Sequence, residues 1–439
     1  MATREVTPIS ELAQTIPDVP APNYTRPMAI VTTLFFMWGF ITCLNDILVP
    51  HLKALFDLSY SKVMLVQFAF FSAYFFFSWP WSKVVNWIGY QKTMVAGLLT
   101  MAVGAFLFLP AASAASYPLF LTALMILGGG ITGLQVSANP YVVELGKPKT
   151  ASSRMDLTQA FNSLGTTIAP KLGGLLILSA VPLAIGQFQK LTPHAQQLYR
   201  VQQAASVKMP YTAIGIALLL LAVLIGFSKL PSLTRAANTG LRIPDSIWKH
   251  PSLLFAVIGI FAYVGAEVSI GSFLVNYFGL PAIAGLSAIT AAGYVSFYWG
   301  GAMIGRFVGS ALARRMDPRR LLTLCAIVAA ALVTASMLLD GHTAMWTILA
   351  VGFFNSIMFP TIFTLGEAEL GALTGSGSGI LNMAIVGGAV LPVIQGVIAD
   401  HIGLHHAFLL PVLCYLYILF YALSGSEPNS ERYAKAGVA

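Results

Sequence analysis

Long apolar runs separated by short polar turns fill the chain from about residue 28 to residue 425. A helix needs roughly 20 mostly apolar residues to cross a hydrocarbon core about 30 Å thick. Runs of that kind fall near 28–53, 62–86, 92–112, 118–145, 152–181 and 210–230. After a polar gap they resume near 252–279, 287–312, 320–340, 344–368, 376–400 and 406–425. The pattern predicts an all-α membrane protein with twelve transmembrane helices. A β-barrel would instead need short segments of alternating polarity. Glycines recur inside the runs, as at Gly128, Gly129 and Gly130, and membrane helices use such residues to pack closely.

The runs form two sets of six that repeat faintly. Phe70-Phe71-Ser72-Ala73-Tyr74, leading to Gly89 and Lys92, can be laid over Phe297-Tyr298-Trp299-Gly300-Gly301, leading to Met316 and Arg319. Asn139-Pro140 and Phe359-Pro360 pair more weakly, each late in the fourth span of its half. Two pseudo-symmetric six-helix bundles place a substrate near the midplane between them. The expected divisions are a flexible tail over 1–27, a first bundle over 28–230, a linker over 231–251, a second bundle over 252–425 and a tail over 426–439.

Composition excludes the main alternatives. Charged residues make up 9% of the chain and apolar ones 57%, whereas a soluble domain is about 25% charged. The net charge of +8 would suit a nucleic-acid partner, but the basic residues follow topology. With the N-terminus inside, all of the 24 Lys and Arg except Lys53, Lys62, Lys171, Lys190, Arg200 and Lys208 fall on the cytoplasmic side. That is the positive-inside bias. It predicts a multi-pass protein of a bacterial-type plasma membrane with both termini cytoplasmic and no nucleic-acid partner.

The proline-rich first 27 residues have no apolar core and are not a secretory signal. The Asn23-Tyr24-Thr25 sequon would stay in the cytoplasm. Cys43, Cys325 and Cys414 form no disulfide or zinc spacing. Signatures of the HExxH, GxSxG or P-loop kind are missing from the sequence, which speaks against an enzyme, and no cofactor or metal is expected.

Polar side chains inside spans are costly and mark candidate sites. Trp38, Thr42 and Asn45 share a face of the first span at i, i+4, i+7, with Asp46 beside it. A buried carboxylate titrates, pairs or bonds a neighbouring helix, and a functional role is expected for Asp46. Gln135 and Asn139 lie one turn apart in the fourth span, while Gln159, Asn162 and Thr166 share a face of the fifth. Amides offer both donors and an acceptor to a sugar hydroxyl; the alternative is interhelical bonding. Glu267 in the seventh span should face the cavity, with Ser272 and Asn276 further along the same wall. Asn355 and Asn382 could serve the site or packing. Glu144, Arg154, Arg306, Glu367 and Glu369 fall near cytoplasmic helix ends, where some would act as a gate.

These residues carry a pattern. Asn45-Asp46-Ile47-Leu48-Val49-Pro50, Ala138-Asn139-Pro140-Tyr141 and Leu157-Thr158-Gln159-Ala160-Phe161-Asn162-Ser163-Leu164-Gly165 resemble the fucose/galactose/glucose proton symporter family. Phe359-Pro360-Thr361-Ile362-Phe363-Thr364-Leu365-Gly366 and Ile385-Val386-Gly387-Gly388 fit the same family. The resemblance spans about 28–425 and implies a major facilitator fold that takes up sugar with an ion by alternating access. It maps the family's essential first-span aspartate onto Asp46, and its fifth-span amides onto Asn162 and Gln159.

One departure matters. Gln135 stands where the fucose transporters carry a glutamate, and Glu267 where they carry a glutamine, so the carboxylate has changed halves. Gly265-Ala266-Glu267-Val268-Ser269 resembles the glucose/galactose branch instead, which favours those hexoses over fucose. The superfamily's loop signature between the second and third spans is also degraded, with Ser82, Asn86 and Trp87 in place of its glycine, aspartate and arginine.

The expected function is therefore proton-coupled hexose import by a monomer in the lipid bilayer. Asp46 would couple, and Glu267 would recognise the sugar. Sodium coupling through an oxygen-rich site at Asp46 and a membrane receptor that binds without transport are the rival readings.

Overall fold

In the computed structural model the described residues are 24–145, 151–178, 191–231, 249–313, 315–368, 370 and 374–427, with no strand among them. The first half contains α1 (Thr25–Phe56), α2 (Tyr60–Ile88), α3 (Tyr90–Ser113), α4 (Tyr117–Glu144), α5 (Ala151–Ile177) and α6 (Lys208–Phe227). The second contains α7 (Pro251–Phe278), α8 (Ala288–Ala313), α9 (Pro318–Leu338) and α10 (Gly341–Glu367). It ends with α11, built from Thr374–Met383, Ala384–Val386 and Gly387–Ile402, and α12 (Leu404–Gly425). Ten passes are long and apolar enough on their own to cross a membrane. The other two, α5 and α8, are of similar length but richer in polar and small residues, and carry Arg154, Asp156 and Lys171 on one and Arg306 on the other.

The expected spans agree with these helices to within a few residues. A short helix at Pro193–Ala204, ahead of α6, was not foreseen. It begins where the Thr192 side chain accepts from the Ala195 N–H, satisfying one of the donors a helix start leaves free. Most of the 231–251 linker, the tails outside 24–427 and Glu369 lie outside the described residues.

Local chemistry sets the helix limits. Pro118, Pro251 and Pro318 occupy first turns, where the missing N–H costs nothing. Gly89 and Gly403, at φ +80° and +86°, end α2 and α11 in a backbone region that favours glycine. The glycine cluster of α4 is a packing device: a Cβ at Gly128 would lie 2.6 Å from the Phe70 carbonyl, and one at Gly130 2.6 Å from that of Gly97. These close approaches bind α4 to α2 and α3. Large apolar side chains such as Leu220, Val223, Phe297 and Leu413 remain exposed on the outside of the bundle, as lipid contact requires.

The halves meet along α5 and α8, α2 and α11, and α1 and α7. The seams are lined by small residues. A Cβ at Gly174 would meet Ala292, one at Gly388 would meet Phe71, and one at Gly271 would stand 3.2 Å from Asp46 Oδ2. At one end the halves are sealed. The Asp400 carboxylate, on α11, accepts from the Tyr60 N–H at 2.7 Å, the Ser61 N–H at 2.9 Å and the Ser61 hydroxyl at 2.6 Å. It thereby caps the start of α2 from across the interface, while the Tyr60 ring packs edge-on against Phe273 of α7.

Candidate functional site

A cavity of about 160 Å³ lies between the halves, walled by α1, α2, α4 and α5 on one side and by α7, α8 and α11 on the other. Trp38, Asp46, Gln135, Asn162, Glu267 and Arg306, all singled out from the sequence, line it. Tyr74, Phe71 and Trp299 add aromatic walls. Such a volume holds on the order of ten water-sized groups, the scale of one monosaccharide. Few polar groups among aromatic faces is the usual make-up of a small-molecule site.

The polar groups differ in what they already bond. Asn162 donates from Nδ2 to the Phe35 carbonyl at 3.0 Å, which ties α5 to α1 and fixes the side chain. Gly39 makes this approach feasible, because a Cβ there would collide with Asn162 itself. Glu267 accepts from the Tyr263 hydroxyl at 2.7 Å, one turn earlier on α7. Arg306 donates to the Ser163 hydroxyl on α5, joining the two halves at the cavity wall. Thr42 Oγ1 and Trp299 Nε1 are buried in this wall without a protein partner, and a buried polar atom without one is costly.

Asp46 sits in a tight cluster. Its Oδ1 accepts from Gln67 Nε2 on α2 and from the Ser272 hydroxyl on α7, each at 3.0 Å. Gln67 Nε2 also donates to Ser272 Oγ at 2.9 Å. The Cys43 thiol lies 3.8 Å from Oδ2. Gln67 was missed in the sequence, although the rule that flagged the other amides applies equally to an amide in the second span.

Other candidates lie elsewhere. Asn45 is buried beside Asp46 but does not line the cavity. Neither does Gln159, although its carbonyl accepts from the Ser163 hydroxyl, nor Asn139, whose Oδ1 is buried without a partner. Asn276 lines a separate chamber of about 310 Å³ with His51, Tyr199 and Gln203. Asn355 is fully occupied in packing: it donates to the Tyr298 hydroxyl at 2.8 Å and accepts from that of Tyr415 at 2.7 Å. Asn382 is exposed on α11, away from the cavity. Of the suggested gate residues, Glu144 accepts from the Tyr90 hydroxyl and Arg154 donates to the Val142 carbonyl, both within one half. Glu367 ends α10, partly exposed.

Two six-helix halves enclosing a polar cavity and sealed at one end define a membrane carrier of the alternating-access class. The chain belongs to the Major Facilitator Superfamily, whose profile matches residues 29–385. It is 51% identical over 406 residues to a glucose/galactose transporter of Brucella abortus biovar 1 (strain 9-941), covering 92% of this chain and 95% of that one. It is 35% identical over 414 residues to the L-fucose-proton symporter of Escherichia coli (strain K12), covering 92% and 94%. Among solved structures, the transporter FucP in the outward conformation matches with a TM-score of 0.72 and 34% identity, covering 93% of this chain and all of that one.

Proposed function

We propose that this protein imports a hexose, glucose or galactose, by alternating access coupled to protons. The observation that carries the reading is Asp46, a carboxylate in the cavity wall of the first half that is bonded across the interface to Ser272 of the second. A buried acid whose bonds cross the interface can tie its charge state to the relative position of the halves. The relatives' names, glucose/galactose transporter and fucose-proton symporter, support the substrate class and the ion.

The positive-inside bias supports a reading with both termini in the cytoplasm of an inner membrane; on that reading the end sealed by Asp400 is the outer one and the cavity faces inward. Both halves of one chain wall the cavity, which supports a functional monomer. Glu144, Arg154 and Glu367 stand at the inner end and are assigned to the gate that closes there. The acid at Glu267 recognises adjacent sugar hydroxyls, to which a carboxylate makes strong charge-assisted bonds.

Radiolabelled glucose uptake into proteoliposomes tests this, with a proton gradient and then a sodium gradient. Accumulation under the proton gradient alone is expected. Accumulation under sodium alone overturns the coupling, and no hexose accumulation under either overturns the substrate.

A further inference from the structure

The cluster at Asp46 has a hydrogen-bond pattern that fits only one protonation state of Oδ1. Gln67 Nε2 has two protons, one used on Asp46 and the other on Ser272; the Ser272 hydroxyl proton is used on Asp46. All three protons are spent, and Oδ1 receives two of them. A proton on Oδ1 would be a third donor pointed at two donors. Ser272 would have to turn away, and Gln67 would have to flip its amide to present Oε1. That oxygen is buried and without a partner as the cluster stands, so the acceptor a protonated acid would need is already in place. Gln67 and Ser272 are 1% and 0% exposed and do not line the cavity that Asp46 lines.

The cluster also bridges the halves. Asp46 and Gln67 lie on α1 and α2, Ser272 on α7. Gly271 permits the approach, since a Cβ there would crowd both Asp46 Oδ2 and the Trp299 ring at 3.2 Å.

We propose that Gln67 and Ser272 are positioning residues for the coupling acid, a clasp that closes across the interface around a bare Oδ1 and holds the ionised carboxylate more tightly than the neutral acid. The inference rests on the reading of Asp46 as the coupling group. With the outer end sealed, the clasp favours loss of the proton from Asp46 to the cytoplasmic side. A proton on Oδ1 breaks the clasp and a proton on Oδ2 weakens it by removing the charge that strengthens both bonds; either loosens α7 from α1 and α2. The amide of Gln67 serves both states of Oδ1, as a donor to the bare oxygen and, flipped, as an acceptor to the protonated one.

The test uses full-length protein in proteoliposomes with Ser272→Ala and Gln67→Met, the second being close to the original in size but without the donors. The readouts are accumulation under a proton gradient, equilibrium glucose exchange, and the pH at which exchange is half-maximal. The other titratable groups in the cavity are Cys43, Tyr74, Glu267 and Arg306, and His51 lies further along α1. All remain in both variants, so a displaced midpoint traces to the clasp.

Removing donors from the ionised form moves that midpoint upward by about half to one pH unit. Accumulation should fall at least fivefold relative to exchange. If wild type accumulates glucose with protons but both variants keep its pH midpoint and its accumulation-to-exchange ratio, the clasp is wrong while the transport reading stands. If wild type shows no proton-driven accumulation, the reading of Asp46 has failed, and the clasp with it. Should Ser272→Ala not fold, Gln67→Met decides alone.

Discussion

Replacing Asp400 with alanine should open the outer face of the carrier. Its carboxylate makes three bonds to the start of α2, two to backbone N–H groups and one to the Ser61 hydroxyl, at 2.6 to 2.9 Å. All three cross between halves, so they exist only while this end is sealed, and their loss acts on one conformation alone. Each is worth about 0.5–1.5 kcal/mol net. Asp400 is exposed, which holds each to the lower part of that range. The sum is about 1.5–3 kcal/mol, a shift of roughly 10–150-fold in the equilibrium between the two states. Ala302 lines the cavity, and a cysteine placed there by Ala302→Cys, with Cys43→Ser to remove the neighbouring thiol, reports access from outside. A membrane-impermeant thiol reagent should label it at least fivefold faster once Asp400→Ala is added. Equal labelling rates with and without Asp400→Ala would show that the cap contributes nothing to the seal, and the assignment of the outer gate would fall.

Three further substitutions address the cavity. Asp46→Asn should abolish accumulation under a proton gradient while sugar exchange continues, and wild-type accumulation in flux measurements would contradict the coupling role. Asn162→Ala should weaken hexose binding about tenfold in calorimetry, because an unpaired buried hydroxyl costs about 1–3 kcal/mol; unchanged affinity would reduce Asn162 to its bond with Phe35. Glu267→Gln should lower affinity and blur the preference between hexoses in competition assays while uptake stays proton-dependent. Full affinity with lost proton dependence would exchange the roles of Glu267 and Asp46.

The spans, their grouping into halves and the central acids were legible because each rests on local signals: apolar length, basic turns and the rarity of a carboxylate in lipid. Depth and partnership were not. Ser272 and Asn276 are four residues apart on α7 and looked like one wall, yet Ser272 meets Asp46 while Asn276 faces a different chamber. Helical spacing gives an angle, and which neighbour fills that angle depends on where the helices cross. Asn355 was ambiguous for the same reason, since its two tyrosine partners lie about 60 residues away in either direction. The Pro193–Ala204 helix escaped notice because it is short and polar, with no apolar run to mark it.

Apart from the Tyr60–Phe273 ring contact, the seal at Asp400 relies largely on backbone and small residues. Gly396 lies against the Tyr60 carbonyl, where a Cβ would stand 2.7 Å away, and two of the three bonds to Asp400 come from peptide N–H groups. Peptide groups and glycines have no rotamers to lose, whereas immobilising a long side chain costs up to about 1.5–2 kcal/mol of conformational entropy. A door made this way forms and breaks with little ordering at each swing. The same seal built from interdigitated leucines would hold as firmly but open more slowly, so the bareness of this surface bears on turnover rate as much as on tightness.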